Sequence, residues 1–185
     1  MSALLTEPAK AAILPPMRAF AFLACLLLAT APAQAAKFQF CWIGNSGYTM
    51  RGSISFPDAL LGSGIITQDD VTGFSIYGFL DNFPIGSWTL DQRTTQTTWE
   101  LYFDTTALEF PMGGIALDQS YQAWNANGDV NDCGAGGFGF NGGNWAQDVC
   151  IDNLWIEDSS ITPDTPLPAY PEGVAVHCEA VLNLS

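Results

Sequence analysis

Residues 99–110, WELYFDTTALEF, decide how this chain folds. From Trp99 to Phe103 large apolar side chains alternate with others: Trp99, Leu101 and Phe103 fall on one side, Glu100, Tyr102 and Asp104 on the other. A period of two belongs to a half-buried strand. Asp104-Thr105-Thr106 supplies turn-forming side chains, and Leu108 and Phe110 resume the alternation, which predicts a β-hairpin. A lone hairpin is not stable in water and needs a facing sheet. The expectation is therefore all-β: an antiparallel β-sandwich or jelly-roll-like fold of eight or nine strands.

Working back toward the amino terminus, Lys37–Ile43 places Phe38, Phe40 and Trp42 on one face and predicts the first strand. Tyr48–Phe56 predicts the second, with Gly52 leaving a gap on the face of Met50, Ile54 and Phe56, the mark of a bulge or a close backbone approach. Residues 58–66 read as loop, and Thr67-Gln68-Asp69-Asp70 as one short helical turn, a capping residue followed by acids. Gly73–Leu80 is apolar on both faces and predicts a central strand, and Gly86–Leu90 predicts another. Forward of the hairpin, alternation is expected through Ile115 and Leu117, then strands at Tyr121–Ala126 and Val149–Glu157. Residues 159–172 hold four prolines and predict an extended connector, with 173–184 a final edge strand.

The run Tyr48…Gly52…Phe56, then Gly64-x-Ile66…Asp70, then Phe103-Asp104…Leu108-x-Phe110 resembles a pattern of exported bacterial β-proteins. Many members of that group carry a PEP-CTERM sorting tail. The resemblance covers residues 48–110 and implies a β-sandwich and export; it implies no activity. After Tyr170 this chain departs from the group, with no Pro-Glu-Pro, apolar anchor or basic terminus.

Export is also read from the residues. Met17-Arg18, an apolar run from Ala19 to Ala31 and Ala33-Gln34-Ala35 together predict a signal peptide over 1–35, with Met17 the expected initiator. Cys25 would leave with it. The remaining 150 residues suffice for one domain with a real core, 36–185. Losing Glu7, Lys10 and Arg18 takes the net charge from −14 to −15, a surface that repels nucleic acid and anionic membranes and suits cations or neutral glycans. Four cysteines remain. Cys133 with Cys150 and Cys41 with Cys178 are the preferred disulfides; zinc is the alternative use, but no C-x-x-C pair exists and only His177 could join.

One stretch, Trp124–Cys150, offers chemistry. Asn127, Asp129, Asn131 and Asp132 place side-chain oxygens as calcium would need them, although the same residues make ordinary turns and the EF-type frame lacks its closing Glu. Trp124, Phe138, Phe140 and Trp145, with the amides Asn141 and Asn144, could stack on and hydrogen-bond a sugar, or fold back as a cap on the sandwich. The glycines of 134–143 match no phosphate-binding motif. For hydrolysis, Glu100, Asp104, Glu109, Asp152 and Glu157 are the acids available, but their alternation is also that of a solvated sheet face. The expectation is a secreted, periplasmic or cell-surface module, non-catalytic, binding a glycan or a protein through this loop. A calcium-stabilised structural envelope or matrix component is the second reading and a carbohydrate-active hydrolase the third.

Overall fold

The computed structural model describes residues 34–176 and residue 178, all within one compact unit. The expected signal peptide, apart from its last two residues, and His177 lie outside the described residues. Among the described residues thirteen strands replace the eight or nine expected: β1 (Ala35–Ile43), β2 (Tyr48–Pro57), β3 (Ile65–Thr67), β4 (Gly73–Leu80), β5 (Phe83–Thr89), β6 (Trp99–Glu100), β7 (Tyr102–Asp104), β8 (Glu109–Phe110), β9 (Gln122–Trp124), β10 (Phe138–Gly142), β11 (Gln147–Ile151), β12 (Leu154–Trp155) and β13 (Leu167–Pro171). Eight form one sheet, in the order β3-β7-β8-β13-β1-β2-β4-β5, and five form the other, β12-β11-β10-β9-β6. Every pairing is antiparallel. The fold is the expected two-sheet sandwich.

The alternation of β1 and β2 is realised as read: Phe38, Phe40, Trp42, Met50, Ile54 and Phe56 are all buried. They meet side chains of the second sheet in an aromatic core. Trp124 is its hub, with ring centroids of Phe40, Phe74, Phe110 and Phe140 all 4.8–5.5 Å away. Its indole Nε1 donates to Gln122 Oε1 at 3.2 Å, so the buried polar atom is satisfied.

Several expectations need correction. Residues 99–104 are two strands in different sheets. β6 pairs with β9, whereas β7 pairs with β3 and β8, so the chain changes sheets at Leu101. Trp99, Leu101 and Phe103 stay buried throughout, because alternation records which side faces the core and not which neighbour is paired. Thr67–Asp70 is a hydrogen-bonded turn and not helical, Asp70 N–H donating to Thr67 O at 3.0 Å; the helical turns are 3-10 segments at Asp58–Leu60, Leu90–Gln92 and Glu157–Ser159. The second face of β4 is open: Tyr77 is exposed, and Arg51 lies over the Phe79 ring at 5.3 Å. Ile115 and Leu117 are exposed loop residues, with Leu117 at φ 73°.

Residues 149–157 are not one strand. Asp152 and Asn153, at φ 53° and 60°, make the two-residue turn of the β11–β12 hairpin. The proline-rich connector contains a strand, β13, lying between β1 and β8. Ala169 N–H donates to Leu108 O at 2.8 Å and Glu172 N–H to Lys37 O at 3.0 Å, so Pro168 and Pro171 fall where the ladders end and no donor is needed. Residues 173–176 are not strand, and the rest of the expected final strand, residue 178 apart, lies outside the described residues. Both preferred disulfides are formed, Cys133–Cys150 and Cys41–Cys178. None of the described helices is long and apolar enough to cross a membrane.

Candidate ligand-binding groove

The largest correction concerns the glycine-rich stretch, which is not loop. Phe138–Gly142 is β10, the middle strand of the second sheet, flanked by β9 and β11. Phe138 and Phe140 point into the core with Trp124, all three without solvent contact, so these three cannot present faces to a sugar. On the opposite face of β10 the segment from Asn125 to Cys133 folds back over the strand. A Cβ on Gly139 would overlap Asn125 O, so only glycine lets that backbone approach. Asn141, on the same outer face, is buried; its Nδ2 donates to Tyr121 Oη at 3.0 Å and to Asn127 O at 3.1 Å.

The remaining two predicted binding residues are presented. Gly143 N–H donates to Ala146 O at 3.2 Å, closing a tight turn that lifts Asn144 and Trp145 out of the sheet. Trp145 is 90% exposed. It stands at a groove of about 420 Å³ that is walled by Ile115, Tyr121, Val130 and Trp155, with Asp129 and Asp148 its two acids.

Asp148 is the residue sequence reasoning missed. It lies on β11, beside Trp155 across the β11–β12 hairpin, and is only 4% exposed. Trp155 Nε1 donates to its Oδ2 at 3.0 Å and Ser160 Oγ at 3.3 Å. Its Oδ1 is buried with no donor among the described residues. Burial pushes the carboxyl above its usual range, and the two hydrogen bonds oppose the rise. The Tyr121 phenol is likewise raised, first by burial, with the Asn141 bond acting against it and then Glu100, Asp132 and Asp129 adding to the rise. The sequence carried no signal for it: Asp148 precedes the expected strand, and only the fold buries the run Gln147–Cys150.

Of the residues considered for calcium, Asn127, Asn131 and Asp132 have side-chain oxygens that already accept hydrogen bonds. Asp132 accepts from Asn127 N–H through one oxygen and from the Thr98 hydroxyl, at 2.6 Å, through the other. Asn127 Nδ2 donates to Asn131 Oδ1 at 3.1 Å, and Asp129 is exposed. Among the described residues no three His, Cys, Asp or Glu side chains cluster as a metal site. Three of the acids considered for hydrolysis accept backbone hydrogen bonds: Glu100 from Leu117 N–H at 2.8 Å, Asp104 from Thr106 and Ala107 N–H, and Asp152 from Gly136 N–H. Asp104 and Glu109 face each other across the β7–β8 hairpin, and Glu157 opens a 3-10 turn.

The groove thus combines two partly or fully exposed indoles, an exposed amide, a phenol and one buried carboxylate. Indole faces take the C–H face of a ring, while the amide, phenol and carboxylate orient hydroxyls or amines. In comparisons with protein-family models, curated proteins and solved structures, the chain matches none.

Proposed function

We propose that this protein is an exported, non-catalytic glycan-binding module whose site is the groove between Trp145 and Trp155. One observation carries the reading: a 90% exposed tryptophan stands beside a groove lined by a buried carboxylate, one of whose two oxygens has no donor among the described residues. Leaving a large indole in water forgoes about 1.5–3 kcal/mol of burial, and leaving a buried acceptor unmet costs a similar amount. A ligand with a flat apolar face recovers the first, and one whose polar edge reaches Asp148 as a neighbouring side chain yields recovers the second. Two disulfides favour an oxidising compartment, and the resemblance of residues 48–110 to exported β-proteins points the same way. The acidic surface, formal charge −14, disfavours nucleic acid and anionic membranes as partners.

A glycan array probed with the wild type and with Trp145→Ala tests the proposal. Binding to at least one glycan class that Trp145→Ala reduces tenfold or more is expected. A blank array, or binding indifferent to the substitution, overturns it.

A further inference from the structure

The charge balance of the groove says more about its occupant. Asp148 receives neutral donors, Trp155 and Ser160, through one oxygen, and its other oxygen has no donor among the described residues. The described residues bring no cation to it. Of the described basic residues, Lys37 pairs with Glu172 at 3.8 Å, Arg51 lies over Phe79, and Arg93 is exposed; none lines the groove. A carboxylate held away from water attracts a cation far more strongly than an exposed one does. The indoles of Trp145 and Trp155 border the same space, and an aromatic face attracts a cation through its quadrupole. The overall negative charge raises the local concentration of cations further.

We infer that the groove's occupant carries a protonated amine set against Asp148, so that, resting on the glycan reading above, the ligand class is an amino sugar with a free amino group. A neutral sugar offers the unmet oxygen a hydroxyl; a protonated amino sugar offers it a donor and a counter-charge together. Oδ1 sits beneath the surface, so contact requires a neighbouring side chain to yield.

The test is calorimetric titration at about pH 6, where amines of this kind are protonated. The probes are a glucosamine tetramer, the N-acetylglucosamine tetramer and a glucose tetramer, which share ring faces and differ in charge. The proteins are wild type, Asp148→Asn, and Asp69→Asn, an exposed acid away from the groove whose removal changes the net charge equally. The wild type should bind the glucosamine tetramer at least tenfold more tightly than the other two. Asp148→Asn should erase that preference, and Asp69→Asn should keep it. Equal or better binding of either neutral tetramer overturns the amine inference while leaving the glycan reading intact. An equal loss in Asp69→Asn reduces the effect to bulk charge and also overturns the inference. If no tetramer binds, the inference falls, and the glycan array then decides whether the broader reading falls with it. Should Asp148→Asn fail to fold, the wild-type preference among the three sugars still decides.

Discussion

The Phe40 ring lies across the bare backbone of Gly52, its cross-strand partner in the β1–β2 ladder. A Cβ on Gly52 would overlap that ring and come within 2.7 Å of Ser75 O. The gap inferred from the sequence is therefore filled by a side chain from the next strand. Gly52→Ala should cost about 1–3 kcal/mol by overpacking. Chemical denaturation measures it, and Phe40→Leu in the same chain should recover part of the loss, as neighbours that share one space are not additive. Full additivity would show that the ring and the glycine do not compete.

Asp148 ties ionisation to stability. Its carboxyl is raised in the folded state, so between the ordinary aspartate value, about 3.9, and its folded value the native protein keeps a proton that the unfolded chain has released. That stabilisation is complete below the ordinary value and is lost as pH rises through the folded one. Asp148→Asn retains an oxygen for Trp155 and Ser160 but cannot ionise. Calorimetric melting across this range should show the variant losing less stability than the wild type as pH rises. Parallel curves would mean that the carboxyl is not held in a desolvated site.

The Cys133–Cys150 bridge closes a 17-residue separation around a small buried cluster that includes Ala126 and Val130. Loop-closure entropy assigns it about 3 kcal/mol. Cys133→Ala with Cys150→Ala should lose about that much in urea denaturation, and the segment over β10 should become the first site of proteolysis. Unchanged stability would mean that packing alone holds the segment in place.

Asp132 closes the loop that covers β10, with both oxygens already accepting. Asp132→Ala should cost about 1.5–3 kcal/mol, the worth of hydrogen bonds to a charged group. Millimolar calcium should leave the wild-type melting temperature where EDTA leaves it. A calcium-dependent rise would make these oxygens ion ligands by linkage.

What the sequence revealed and what it hid follow from one physical fact. Alternation reports burial on one side, so β1, β2 and β4, each with an apolar inner face, could be read directly. It does not report pairing partners, and the sheet change at Leu101 left no mark because Trp99, Leu101 and Phe103 share the same interior. β10 carried the same signal in Phe138 and Phe140, but its outer face is glycine and asparagine because another segment lies on it, and that composition imitates a loop. In β13 the prolines hid a strand that needs no donors at those positions. Within the groove, Trp145 and Asn144 were legible as candidate loop residues, but whether they faced the ligand or folded back was not. Asp148 and Trp155 were not, since only the Asp152-Asn153 turn brings them together.

The most direct measurement is a backbone and indole NMR titration with the strongest ligand from the glycan array. Shifts concentrated at Tyr121, Asn141, the Trp145 and Trp155 indoles and Asp148 are predicted, with the outer face of β4 around Tyr77 unmoved. Shifts centred on that outer face, or none at a saturating glycan concentration, would contradict the groove as the binding site.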